Sequence, residues 1–209
     1  MRILIADDHA IMREGIINSL TRSFPDWEFG EASSSSDILN LVLSETWDLI
    51  LLDINIPGRS GLDILKDIKA VRQDLPVIIL SMYPEDQFAI RTIKAGASAY
   101  LTKDSSLPQL IDAIKTISSH KRYITPSVAD LMTTELRGRL NKLLHENLSD
   151  REYQVFIMIA SGKSISVIAS ELSLSVKTIS VYRSKILDKM NLKNNSEITH
   201  YAFKNKLVE

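Results

Sequence analysis

The order of residue patterns along this chain predicts an α/β doubly wound sheet of five parallel strands, followed by a small all-α domain. Three observations predict it. Short apolar runs alternate with amphipathic helical stretches over residues 1–119. Four of those runs stop on a carboxylate, a hydroxyl or an amine. From about residue 147 onward only helical periods remain.

Residues 2–7, 27–32, 48–53, 76–81 and 99–102 read as strands, and 10–23, 36–46, 61–72, 85–95 and 106–119 as the helices that alternate with them. Local punctuation agrees. SSSS at 33–36 reads as a loop ending in an N-cap, Pro57, Gly58 and Gly61 mark the loop after the third strand, Gly96 stops the fourth helix, and Ser106 with Pro108 starts the fifth. The expected domains are 1–120 and 147–209, with 121–146 a linker around a short helical piece. LRGRLNKLL within it is read as a tether rather than an amphipathic docking helix.

The strand ends carry the chemistry. RILIADDH stops on Asp7 and Asp8, LILLD on Asp53, VIILS on Ser81 and SAYLTK on Lys103. Parallel strands would bring these residues together at the carboxyl edge of the sheet, where open α/β sheets bind ligands. Three clustered carboxylates raise one another's proton affinity unless a cation sits among them, and Mg²⁺ (or Mn²⁺) takes hard oxygen ligands. Phosphoryl transfer needs an in-line nucleophile and neutralised equatorial oxygens. Asp53 is the expected nucleophile, the cation and Lys103 the neutralisers, Ser81 a donor to a phosphoryl oxygen, and Asp8 with Asp7 behind it the metal holders. His9 reads as a loop or helix-start residue.

This ordered set, with 45 residues from Asp8 to Asp53 and 22 from Ser81 to Lys103, resembles the receiver domain of bacterial two-component response regulators over roughly residues 1–120. The resemblance implies a flavodoxin-like fold and a sensor histidine kinase that phosphorylates Asp53. It also implies a metal ligand in the backbone carbonyl of Asn55, and a switch in which Tyr100 turns inward as Ser81 moves toward the phosphate. Two positions depart from the family pattern: Asp104 follows Lys103 where proline is frequent, and Met82 follows Ser81 where a small residue is frequent.

In the second half, Ser149 and Glu152 of SDRE form a capping box. The helix it starts ends at Gly162. A two-turn helix over SISVIASEL, a tight turn and a longer helix after Ser175 make a helix-turn-helix, and a last helix runs from about Ser196 to Lys206. Ile165, Ile168, Ala169, Leu172, Val176, Ile179, Ile186 and Leu187 are the expected inward residues. Leu148, Arg151, Glu152, Gly162, Ile168, Ala169, Leu172, Ser175, Lys177, Thr178, Lys185, Lys189 and Met190 resemble the LuxR-type DNA-binding domain, so the whole chain is similar to the NarL/FixJ class. Many members have lysine at Ser180 and histidine at Tyr182, so the bases they read need not be read here. Lys177, Thr178, Ser180, Val181 and Ser184 are expected to face the major groove, and Arg183 and Lys185 the phosphates.

Charge follows the same division. Residues 1–120 carry 11 Lys and Arg against 17 Asp and Glu, and residues 121–209 carry 14 against 9, the sign asymmetry of an acidic control domain joined to a polyanion binder. Without cysteine the chain has no disulfide framework and no thiolate zinc site. No apolar run reaches a membrane span, and the amino terminus reads as a strand, so a soluble cytoplasmic protein is expected. The resemblance implies a phosphoacceptor rather than an enzyme, one whose own site assists transfer and hydrolysis. Its implied partners are double-stranded DNA, RNA polymerase and a second copy of the chain, pairing on phosphorylation or DNA binding. A metal-dependent aspartyl phosphatase is the alternative, although Asn55 stands where those enzymes carry a second acid. A regulator that binds DNA without phosphorylation is a third reading.

Overall fold

A computed structural model describes residues 1–57, 59–138 and 143–208. The chain divides into two compact units, Met1–Met132 and Thr133–Glu209.

The first unit holds a five-stranded sheet of β1 (Arg2–Ala6), β2 (Glu28–Ala32), β3 (Leu49–Asp53), β6 (Val77–Ser81) and β7 (Ala99–Thr102). Between β3 and β6 lies a small antiparallel hairpin, β4 (Asn55–Ile56) with β5 (Arg59–Ser60), which the sequence reading did not anticipate. Two residues per strand are too few to show an alternating pattern. The large sheet has the order β2-β1-β3-β6-β7 and is parallel throughout, with Ile3 beside Phe29 and Leu49, Leu51 beside Ile78, and Leu80 beside Leu101. β3 and β6 are buried at every residue, as expected of central strands covered on both faces.

Helices α1 (Ala10–Ser23), α2 (Ser35–Ser44), α3 (Gly61–Val71), α4 (Glu85–Lys94) and α5 (Leu107–Ser118) link the strands. Serine hydroxyls cap three of them. Ser34, Ser60 and Ser106 accept from backbone amides of the first turn, each cap contributing about 1 kcal/mol. On one face Ile3, Ile5, Leu49, Leu51, Ile78 and Leu80 pack with Leu20 of α1 and with Leu110, Ala113, Ile114 and Ile117 of α5.

Residues 121–132, assigned from sequence to a linker, belong to this compact unit. Tyr123 packs against the core cluster and its amide donates to the Ser98 carbonyl, while Val128 is buried. Thr125 Oγ1 donates to Glu85 Oε1 at 2.8 Å. The helical piece itself, α6, extends over Pro126–Gly138. LRGRLNKLL lies partly outside the described residues.

The second unit contains a 3-10 turn at Leu144–Asn147 and helices α7 (Asp150–Ala160), α8 (Ile165–Glu171), α9 (Val176–Met190) and α10 (Asn195–Lys204). The capping box forms as expected, Ser149 and Glu152 each satisfying the other's amide. Every residue of α7 after Asp150 is buried, including Arg151, which donates to Gln154 Oε1 at 2.6 Å and to the Leu172 carbonyl at 3.3 Å. Ile168, Ala169, Leu172, Ile179 and Ile186 are buried as anticipated, whereas Ile165 and Leu187 are only half-buried. Val176, expected inward, is 52% exposed. It shares the start of α9 with Ser175 and Lys177, both exposed, and burial on this helix begins only at Ile179. No single described helix is long and apolar enough to cross a membrane.

Candidate functional site

The strand order reverses at β1, which has β2 on one side and β3 on the other, so the carboxyl ends of β1 and β3 open side by side at the topological switch point. Asp7 follows β1 and Asp53 ends β3; both are 2% exposed. Gly61 permits the turn beneath them, since a Cβ there would lie 2.4 Å from the Asp53 carbonyl oxygen and 2.6 Å from Ile54 Cα.

Lys103 enters this pair of acids from the end of β7. Its Nζ donates to Asp7 Oδ2 at 2.6 Å and to Asp53 Oδ2 at 2.9 Å, and its own side chain is 5% exposed. The remaining oxygens of the two acids are held by backbone: Asp7 Oδ1 accepts from the His9 amide at 2.8 Å and Asp53 Oδ1 from the Asn55 amide at 3.1 Å. Burial raises the proton affinity of Asp53, with the Asp7 charge adding to it and Lys103 opposing it. Burial alone would lower the Lys103 value, yet the Asp53 and Asp7 carboxylates outweigh it and the ammonium is held more firmly than usual.

Asp8 Oδ1 is buried without a hydrogen-bond partner; His9 Nδ1 approaches to 2.7 Å but out of hydrogen-bond alignment. One ligand atom from each of Asp7, Asp8, His9 and Asp53 can be chosen so that all lie within 4.8 Å of one another. An orphaned carboxylate oxygen among three acids fits a hard divalent cation.

Ser81 is fully buried at the end of β6, and its Oγ accepts from the Tyr83 amide at 3.0 Å. Tyr100 lies inward, 2% exposed, with its hydroxyl donating to the Tyr83 carbonyl at 2.7 Å. Burial drives its phenol far above the ordinary range, against the pull of a hydrogen bond to Ser81. Tyr83 thus joins Ser81 to Tyr100 through both of its backbone groups, a role for which the sequence holds no signal. Met82 is 62% exposed, so its bulk turns to solvent. Described peptide bonds are all trans, including Lys103–Asp104.

In the second unit α8 and α9 meet at 113°, within the helix-turn-helix range. Ser173 takes the left-handed conformation in the turn, φ 51°, and the Ser175 hydroxyl caps α9 through the Thr178 amide. Lys177, Ser180, Val181 and Ser184 recur at helical spacing along one exposed face, with Lys185 beside them. Thr178 is half-buried and its hydroxyl meets that of Ser175 at 2.8 Å. Ser180 and Ser184 hydroxyls donate back to the carbonyls of Val176 and Ser180. Arg183 is half-buried, its Nε donating to Asn195 Oδ1 at 2.6 Å, so it also ties α9 to the start of α10. Lys189 Nζ reaches Glu152 Oε2 at 2.6 Å and reinforces the capping box.

A receiver-type sheet with an acidic site, followed by a helix-turn-helix unit, defines a two-component response regulator that acts as a DNA-binding transcription regulator. The chain belongs to the response regulator receiver domain family, matched over residues 3–115, and its second unit to the bacterial regulatory proteins of the luxR family, matched over residues 146–202, the combination of the NarL/FixJ class. It is 30% identical to the response regulator GacA of Pseudomonas aeruginosa, with 100% of this chain and 98% of that protein covered. It is 30% identical to UvrY of Escherichia coli, with 99% and 95% covered. Among solved structures, RcsB from Salmonella enterica serovar Typhimurium, bound to a promoter in the presence of the phosphomimetic BeF3−, is 25% identical over 96% of this chain and 97% of that one, at a TM-score of 0.60.

Proposed function

We propose that Asp53 is the phosphoryl acceptor of this regulator, that a sensor histidine kinase is the donor, and that the phosphorylated chain binds double-stranded DNA as a homodimer. One observation carries the reading: a buried carboxylate at the switch point whose oxygen is 2.9 Å from the only buried lysine amine beside it among the described residues. The Asp53 oxygen attacks phosphorus in line, the bond from phosphorus to the kinase histidine breaks, and Lys103 stands ready to pair with the new phosphoryl oxygens. Asp7, Asp8, Asp53 and the Asn55 carbonyl would hold Mg²⁺ or Mn²⁺, which supplies positive charge to the transferring group when bound. Ser81 then meets a phosphoryl oxygen, and its contact with Tyr83 and Tyr100 transmits the event to the surface around α4. Water attack on the acyl phosphate would return the site to rest.

On the DNA side, Lys177, Thr178, Ser180, Val181 and Ser184 read the major groove, while Lys185 and the remaining nitrogens of Arg183 hold phosphates. RcsB is described on promoter DNA and as dimers on DNA, which supports the same arrangement here. Contact with RNA polymerase and a cytoplasmic location accompany this reading. So do the functional boundaries of 1–120 for the receiver, 121–146 for the linker and 147–209 for the DNA-binding domain. Incubation with acetyl phosphate and Mg²⁺ should add one base-labile phosphoryl group to the chain, detected by mass spectrometry. The same gain in Asp53→Asn would reject the assignment.

A further inference from the structure

We infer that His9 supplies a nitrogen ligand to the divalent ion of the acidic site, so that this site favours nitrogen-accepting transition ions over Mg²⁺ more strongly than its carboxylates alone would. The inference rests on the metal-binding reading above and extends it to ion selectivity.

Position is the first argument. The His9 amide is fixed on Asp7 Oδ1 at 2.8 Å, and the ring lies over the acids, with Nδ1 2.7 Å from Asp8 Oδ1 and 3.2 Å from Asp7 Oδ1. Adjacent ligands of an octahedral ion at 2.0–2.1 Å lie about 3.0 Å apart. The two observed separations fall on either side of that value, so Nδ1 already stands at the spacing of a neighbouring ligand from one oxygen of each acid. Asp8 Oδ1 makes no hydrogen bond with the ring despite the short approach, so an ion there replaces only the 3.2 Å contact between Nδ1 and Asp7 Oδ1.

Chemistry is the second argument. Mg²⁺ prefers oxygen and retains its waters, whereas imidazole suits later first-row ions, with affinity rising from Mn²⁺ to Co²⁺ to Ni²⁺. A ring that is 70% exposed replaces one of the ion's waters without displacing any packed group. Its low burial also means that replacing it leaves no cavity in the fold.

Calorimetric titration of the full chain and of His9→Ala with Mg²⁺, Mn²⁺ and Co²⁺ tests the assignment. The expected loss in His9→Ala is graded: under twofold for Mg²⁺ and about tenfold for Co²⁺, with Mn²⁺ between. Pulsed electron paramagnetic resonance of Mn²⁺ on the wild-type chain should show a histidine nitrogen coupling that His9→Ala lacks. Equal losses for all three ions, or a nitrogen coupling that survives the substitution, would overturn the role of His9. Failure of the wild-type chain to bind Mg²⁺ at all would instead overturn the metal-binding reading on which it rests.

Discussion

Replacing Lys103 with methionine keeps the aliphatic stem and removes the charge that lies 2.6 Å from Asp7 Oδ2 and 2.9 Å from Asp53 Oδ2. Both acids are at most 3% exposed, so water cannot take over the amine's role. Breaking a buried pair by removing one partner costs about 3–5 kcal/mol. For a unit of this size that corresponds to a fall in Tm of roughly 10–20 °C. Both tryptophans, Trp27 and Trp47, lie in the first unit, so their fluorescence follows its unfolding separately from the helix-turn-helix unit. The pH dependence is a stricter test. Asp53 already has a raised proton affinity, chiefly from burial, so the native state binds more protons than the unfolded chain and stability falls as pH rises through that window. Without Lys103 the window extends upward. The deficit of Lys103→Met should therefore be smaller at about pH 5 than at pH 7, and Mg²⁺ should restore part of it at pH 7. A loss under about 1 kcal/mol, or an identical deficit at both pH values, would refute the view that the amine is the internal counter-ion of the two acids.

Two further outcomes concern signal and recognition. Ser81→Ala should accept a phosphoryl group from acetyl phosphate yet gain little DNA affinity from it, since the hydroxyl bonded to the Tyr83 amide is missing; equal enhancement in mutant and wild type, measured by fluorescence anisotropy, would contradict this coupling. Val181→Ala should change the preferred DNA sequence by about 1–3 kcal/mol per lost base contact, while Lys185→Ala should weaken all sequences alike and flatten the salt dependence by about one unit of slope. Titrations of specific and random duplexes at several salt concentrations separate the two, and a uniform loss in Val181→Ala would remove that face of α9 from the groove.

The receiver was legible because its chemistry is written at strand ends. Asp7, Asp53, Ser81 and Lys103 each close an apolar run, and parallel pairing leaves those ends nowhere to go but one edge. What escaped the sequence depends on contacts between distant segments. Thr125 meets Glu85 across 40 residues, and Arg183 meets Asn195 on a different helix; neither partner carries a local signature. Tyr83 acts through its backbone, which no side-chain pattern reveals. Val176 sits three residues before buried Ile179 and satisfies the helical period, but periodicity carries no information on where the neighbouring helix stops. His9 reads as a loop or helix-start residue and does precede α1, yet its ring is turned to the acids rather than to the helix amides.

Arg151 bears on how small a DNA reader this chain can be. An isolated helix of seven residues such as α8 does not persist in water. Its last turn is gripped from outside, where the buried guanidinium of Arg151 takes the Leu172 carbonyl just ahead of the tight turn. The angle at which α9 is presented is therefore set by a third helix that carries none of the proposed base-reading residues. The reader therefore includes α7 and its cap at Ser149 and is not reducible to the helix pair from Ser164; a peptide of the pair alone would keep the proposed recognition side chains while losing the frame that aims them.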